Sequence, residues 1–210
     1  MSSLNYYIDY QELKLWWPKG YGEPHLHDAN FTFNIDGKVS DSEDFKVGVR
    51  QMDFNEDNGI LSLFINGRRF IGRGGNWGFG ENNLNYRARE YDIAVAHHAN
   101  MNFTMMRNWV GQIGDEELYE ACDKHGIMIW QDFSFACGHY PDDERLCKLV
   151  KEEIKHIAIE KRNHPALVLW AGDNECDVTV TACGTDAHTP KSFATARQVF
   201  ERAIAKLDLK

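Results

Sequence analysis

From residue 72 onward, short apolar runs alternate with longer stretches whose apolar residues recur at helical spacing, and few folds accommodate that pattern. A first run closes at 72–77. Residues 86–98 follow as a helix with Tyr91, Val95 and His98 on one face. Residues 102–109 read as a second strand, and 115–125 as a helix that Gly126 ends as a C-cap. A third strand covers 127–133, and 143–162 carry Leu146, Leu149, Val150, Ile154 and Ile157 at helical spacing. The fourth strand is 166–171. Thr189-Pro190 then supplies an N-cap with proline at N1 for a helix through Phe193, Phe200 and Leu207. Four βα units imply a parallel sheet with right-handed crossovers. An open flavodoxin-like sheet and half of an eight-stranded barrel both satisfy the pattern.

Before residue 53 the texture differs. Residues 13–17, the alternating Phe31, Phe33 and Ile35, and Phe45, Val47 and Val49 read as strands separated by Gly/Pro/Asp turns such as 18–22. This predicts antiparallel structure, part of a β-sandwich, over 1–52. A hairpin follows: 60–65, then Asn66-Gly67, which accepts the positive φ angles of a type I′ turn, then 69–71.

The strand ends carry the polar residues. In HPALVLWAGDNE, residues 164–175, an apolar run stops at Asn174-Glu175, so Glu175 falls at the carboxyl end of a buried strand, where parallel α/β sheets and barrels place their chemistry. A carboxyl group held there beside Trp170 and other apolar groups is positioned to give a proton to a leaving group. The other strand ends offer Asn76-Trp77, Arg107-Asn108-Trp109 and Gln131-Asp132. Amides and charges suit hydroxyl groups, and indole faces suit the C–H side of a sugar ring. Gly72-Arg73-Gly74-Gly75 is glycine-rich but leads into Asn76-Trp77 rather than a helix, which argues against a phosphate site.

Charge narrows the partners further. Thirty-two acidic against 23 basic side chains give a formal charge of −9 with no long basic run, unlike a protein that grips nucleic acid or an anionic membrane. Cysteines at 122, 137, 147, 176 and 183 form an odd set without a CxxC pair, so neither a disulfide framework nor a zinc ribbon is expected, and they read as reduced, mostly buried residues. His25 and His27 lack nearby ligands at metal spacing and read as plain surface residues. The chain shows no membrane-length apolar run, and its start lacks the regions of a signal peptide, which leaves the native compartment open.

Six segments, in order, carry a resemblance: LWWPKGYGEPHL, VGVRQ, INGRRFIGRGGNW, HHANMNFTMMRNWVG, LYEACDKHGIMIWQDFSFAC and RNHPALVLWAGDNE. Together they resemble the linked segments of glycoside hydrolase family 2, most of all its β-mannosidase and exo-β-glucosaminidase type members. The resemblance implies the last strands of an immunoglobulin-like sandwich over 1–52 and the first four βα units of a (β/α)8 TIM barrel over 53–210. It implies a retaining exo-acting glycosidase with Glu175 as general acid/base. Asn174 would bind the hydroxyl next to the anomeric carbon, and Arg107 would hold the nucleophile carboxylate ionised. Trp109, Trp77, Asn76, Asp132 and Gln131 would complete the substrate site. No metal and no cofactor is implied; the partners are an oligosaccharide or glycoside substrate and the other half of the barrel.

Two departures matter. Family members follow GGNW with Pro and Asp, whereas this chain reads GGNWGFGENNL, leaving Glu81 or Asn82 as the stand-in for a substrate-binding carboxylate. The family nucleophile lies on the seventh strand, and no residue up to Lys210 matches it, so the chain alone is expected to be inactive. Asp132 has two open roles, substrate binding or support of Arg107. Cys176 reads as a small wall residue, His98 as a packing or capping group, and Trp16-Trp17 as sandwich core or an interdomain wedge. A noncatalytic carbohydrate-binding protein, exo-β-glucosaminidase or β-galactosidase specificity, and an open-sheet α/β protein of other chemistry are the alternatives.

Overall fold

The computed structural model describes residues 13–78, 86–109, 115–138, 140–141 and 143–176. The helix expected through Phe193, Phe200 and Leu207, together with Glu81, Asn82 and Cys183, lies outside the described residues.

The N-terminal segment is less regular than its composition suggests. The strand expected over 13–17 is reduced to isolated bridges, Leu15 with Val49 and Trp16 with Pro24. Trp16 is nevertheless fully buried, and its indole Nε1 donates to the Asp123 carbonyl at 2.8 Å, so the residue wedges this segment against the second helix. Strands β1 (His27–Ile35) and β2 (Lys38–Val47) form an antiparallel hairpin. Asp36 and Gly37, at φ 51° and 75°, turn it in the manner of a type I′ loop. The alternation places Ala29, Phe31 and Phe33 on one face with Phe45 opposite Ala29, and Phe31 and Phe33 are 41% and 50% exposed.

Strands β3 (Met52–Asn55), β4 (Ser62–Ile65) and β5 (Arg68–Phe70) form a three-stranded antiparallel sheet. Asn66 and Gly67, at φ 50° and 77°, make the expected tight turn between β4 and β5. Strand β3 is too short and too exposed to announce itself by periodicity, and it is fixed by pairing with β4. Leu63, Ile65 and Phe70 enter the main core.

The βα alternation appears in the expected order. Strands β6 (Asn76–Trp77), β7 (Met105–Asn108), β8 (Met128–Asp132) and β9 (Leu167–Ala171) form one parallel sheet, with neighbours in chain order. Helices α1 (Ala88–Asn100), α2 (Glu116–His125) and α3 (Glu144–Lys161) connect them. Gly126 caps α2 in the left-handed region at φ 72°, its N–H donating to the Cys122 carbonyl. Asp143 caps α3 by accepting from the Leu146 N–H at 2.7 Å.

The glycine-rich segment serves backbone approach. The Arg73 carbonyl accepts from the Thr104 N–H at 2.8 Å and the Gly75 carbonyl from the Arg107 N–H at 3.0 Å, so this segment runs alongside the start of β7. A Cβ on Gly74 would fall 1.7 Å from the Met105 carbonyl oxygen, which only glycine avoids. Among the described residues, no helix is long and apolar enough to cross a membrane.

Candidate active site

Pleating divides the strand-end residues into two sets. Register pairs Asn76 with Arg107 and Arg107 with Trp130, and Trp77 with Asn108 and Asn108 with Gln131. Side chains alternate faces along a strand, so Arg107, Trp130 and Asp132 share one face, while Asn108 and Gln131 face the helices. The contacts follow this division. Gln131 is fully buried, its Oε1 accepting from Asn108 Nδ2 at 2.9 Å and from the Tyr119 hydroxyl of α2 at 2.7 Å. Trp77 is buried against Tyr86, Tyr91 and His98. Both were expected at the substrate. The structure instead places Gln131 beneath the site as a support and Trp77 in the core. His98 has the packing role expected of it, with Nδ1 2.7 Å from the Ala94 carbonyl.

Arg107, Trp109, Asp132 and Asn174 do converge. Arg107 Nε donates to Asp132 Oδ1 at 3.0 Å, and its Nη2 lies 2.7 Å from Oδ2 as an ion pair, although the buried Oδ2 accepts no hydrogen bond from the described residues. The guanidinium carbon lies 5.0 Å from the centroid of the Trp130 ring, a cation–π arrangement. Burial pushes the Asp132 carboxyl pKa upward; the Arg107 hydrogen bond and charge oppose this, the Asp173 charge adds to it, and the net direction is up. Asp132 is thus paired with Arg107 at the end of β8.

Arg107 Nη2 also donates to Asn174 Oδ1 at 2.8 Å, and Trp109 Nε1 donates to the same oxygen at 2.9 Å. Two donors on one oxygen fix which end of the Asn174 amide is which. Asn76 stays exposed on β6, on the Arg107 face by register. Trp109 and Trp130 expose 41% and 36% of their surface, leaving apolar ring area beside the polar groups.

Glu175 differs from its expected setting. Its side chain is exposed rather than enclosed by apolar groups, and its backbone sits in the left-handed region at φ 56°. The Trp170 ring stacks on Phe133, with centroids 5.1 Å apart. Beside Glu175 lies Cys137, whose Sγ donates to Glu175 Oε2 at 3.3 Å and accepts from Asn174 Nδ2 at 3.6 Å. Backbone bonds hold the two segments together: the Asn174 N–H donates to the Phe135 carbonyl at 2.8 Å, and the Cys137 N–H to the Asn174 carbonyl at 2.9 Å. Cys137 is exposed, unlike the buried role expected of the cysteines, whereas Cys122 is fully buried. Cys137 and Trp130 were missed as site residues. The FSFAC segment offered no periodic signal, because the bridge between Ala136 and Asn174 is a contact between distant parts of the chain.

The geometry is that of a polar, indole-lined strand-end site with a carboxyl group at its edge, and known proteins share its sequence. The glycosyl hydrolases family 2 model matches residues 3–50. A β-mannosidase of Capra hircus is 36% identical over 174 residues, covering 78% of this chain and 20% of that protein. These matches make the chain a relative of the family 2 glycosyl hydrolases. A β-mannosidase B of Aspergillus terreus is 34% identical over 174 residues, covering 80% of this chain and 21% of its own length. Among solved structures, a β-D-mannosidase from Dictyoglomus thermophilum superposes with a TM-score of 0.69 at 34% identity, over 77% of this chain and 21% of that one. An exo-chitosanase from Amycolatopsis orientalis shares the fold, with a TM-score of 0.67 at 22% identity over 74% of this chain and 19% of its own. The chain thus spans about a fifth of the length of the family 2 relatives it matches.

Proposed function

We propose that the chain belongs to a retaining, exo-acting glycoside hydrolase of β-mannosidase type, in which Glu175 is the general acid/base. The supporting observation is the arrangement around Asn174: Arg107 and Trp109 orient its amide, and Glu175 follows it directly at the carboxyl end of β9. Strands in unbroken chain order fit the first half of a (β/α)8 barrel better than a flavodoxin-like sheet, whose strand order reverses at its switch point. On this reading β1 and β2 belong to a preceding sandwich, Asn174 binds the hydroxyl beside the anomeric carbon, and Trp109 and Trp130 take the apolar side of the ring.

The retaining mechanism requires two carboxyl groups about 5 to 5.5 Å apart, one protonating the leaving oxygen and the other bonding the anomeric carbon. Glu175 supplies the first. Asp132 does not fit the second, because it is ion-paired with Arg107, whose Nε donates to its Oδ1, and its side chain is fully buried. The second carboxylate therefore comes from outside the described cluster.

Leaving-group dependence in the full-length protein tests the assignment. Glu175→Gln is expected to slow glycosides with poor leaving groups by about 10²-fold or more, and activated aryl glycosides far less, because a good leaving group departs without protonation. Equal losses on both would move the acid role to another residue.

A further inference from the structure

The β1–β2 hairpin is tied to the parallel-sheet unit at its base. Gly48 lies against Pro165, where a Cβ would overlap the proline ring, and Arg50 donates from Nε to the Pro165 carbonyl and from Nη2 to the Leu167 carbonyl at 2.6 Å. His27 Nε2 sits 3.0 Å from the Lys14 carbonyl. Beyond these ties a cavity of about 1270 Å³ separates the hairpin from α2 and α3. The polar groups of the hairpin pair with one another, Asn30 with Ser42 and Asp44, and Lys46 with Asp28. Among the described residues no hydrogen bond or ion pair crosses the cavity, so the hairpin is held from one end only.

Both walls of the cavity carry excess negative charge. The hairpin presents Asp28, Glu43 and Asp44 with Lys46, and the facing wall presents Glu116, Glu120, Asp123 and Glu160 with Lys124 and His164. Lys46 is taken by Asp28, and Lys124 by Asp92, which does not line the cavity. Lys161 serves Glu116 and Glu160 at 2.6 and 2.9 Å. His164 answers Asp123 at 2.7 Å, and Arg50 adds its charge to Asp123 from the hairpin base. Burial disfavours the imidazolium, but Asp123 and Glu116 outweigh it, so the ring keeps its proton to higher pH than an ordinary histidine. We propose that His164 is a proton-operated latch for the hairpin: with the proton, the helix wall lets the hairpin rest over the cavity, and without it Glu43 and Asp44 face a more negative wall and the hairpin swings outward about its base. The latch is independent of the role of Glu175. A cavity of this size is on the order of 10 Å across, close to the screening length at 0.1 M salt, so one added charge against two changes the ratio of open to closed hairpin about two- to fourfold, and more as salt is lowered. Opening follows a rise in pH, because acid that protonates the carboxylates removes the repulsion itself.

Pulsed electron–electron distance measurements on the full-length protein carrying this chain test the latch. Nitroxides carried on p-acetylphenylalanine in place of Val39 on β2 and Ile159 on α3, which are 64% and 45% exposed, leave the native cysteines untouched. Between about pH 6 and about pH 9, at about 10 mM salt, the fraction of long distances is expected to rise about threefold or more. His164→Gln, neutral throughout, is expected to show the high-pH distribution at both values. Salt at about 1 M, where the screening length falls to about 3 Å, is expected to abolish the change. A wild-type distribution that is the same at both pH values, or a pH response that survives in His164→Gln or at high salt, would overturn the proposal.

A second variant covers a His164→Gln protein that fails to fold. Glu43→Gln combined with Glu120→Gln removes one charge from each wall at two exposed positions and leaves His164 with its own carboxylates. This double variant is expected to keep the low-pH distance distribution at about pH 9. A long-distance fraction that rises in it as far as in the wild type would overturn the proposal, because the opening would then owe nothing to charge facing charge across the cavity.

Discussion

Arg107 on β7 is ion-paired with Asp132 on β8, Nε donating to Oδ1 at 3.0 Å and Nη2 lying 2.7 Å from Oδ2, and the Asp132 side chain is fully buried while Arg107 keeps about a fifth of its surface exposed. The pair therefore works as a rigid mount. The acid orients the guanidinium, and the guanidinium in turn orients the Asn174 amide. Asp132→Asn would keep the shape but leave Arg107 without its counter-charge. Breaking such a pair from one side destabilises by about 3 kcal/mol, so the urea midpoint of the variant should fall clearly below that of the wild type. An unchanged midpoint would reduce the mount to an incidental contact.

His164 anchors the start of β9 from the opposite end of the sheet. Its Nδ1 lies 2.7 Å from Asp123 Oδ2 and its Nε2 2.8 Å from Glu116 Oε1, both carboxylates belonging to α2. Lys161 and Glu160 of α3 and Arg50 complete the charged surroundings, with Lys161 2.6 Å from Glu116. Burial disfavours the charged imidazole, but hydrogen bonds and charges from Asp123 and Glu116 outweigh it, and the His164 pKa is raised. A raised folded-state pKa gives stability that is full below the unfolded value near 6.5 and is lost as pH rises through the folded value. Unfolding free energy should therefore decline with pH above about 6.5, and His164→Gln should flatten that decline. Urea titrations at several pH values would show it; a variant with the same slope as the wild type would remove His164 as its source.

Gly74 is fixed by the Met105 carbonyl. With a Cβ 1.7 Å from that oxygen, Gly74→Ala must shift the segment beside β7, and the cost is expected to reach about 2 kcal/mol or more. Thermal unfolding should report a clear fall in midpoint. Gly37→Ala makes an informative companion, because its Cβ would meet open space and only the positive φ, 75°, opposes it. Its loss should be about 1 kcal/mol.

The hairpin β1–β2 exposes Phe31, Phe33 and Phe45 at 41%, 50% and 46%, an apolar surface that favours association. Purified 210-residue chain is expected to bind a hydrophobic dye and to scatter light above the level of a monomer. Replacing Phe31 and Phe33 with Asn should lower both signals. Persistence of the full signals would place the adhesive surface elsewhere, the open edges of the parallel sheet being the next candidate.

The same chain should be hydrolytically inert. On the proposed assignment the described cluster supplies the acid but not the nucleophile, and general-acid help alone contributes about 10²- to 10⁴-fold. Aryl β-mannoside, β-glucosaminide and β-galactoside at high protein concentration are the substrates to use. Turnover that vanishes in both Glu175→Ala and Asp132→Ala would mean that a second working carboxylate is already present.

Much of this protein was legible in the sequence because the determining interactions are local. Helical spacing in 143–162 gave α3, Gly126 and Asp143 marked helix ends through their own backbone chemistry, and Asn66-Gly67 marked a turn that needs positive φ. The parallel pairing of the βα units followed from connection length, and the carboxyl-end position of Asn174 and Glu175 from where the apolar run stops, whereas the order of the strands in the sheet came only from the structure. Tertiary structure decided what each strand-end residue does. Pleat and register, which no residue encodes singly, turned Arg107 and Asp132 toward one another while sending Gln131 and Trp77 into the core. Only the pairing of Ala136 with Asn174, residues far apart in the chain, brought Cys137 to Glu175, because a contact between distant segments is set by packing of whole elements and leaves no local signature.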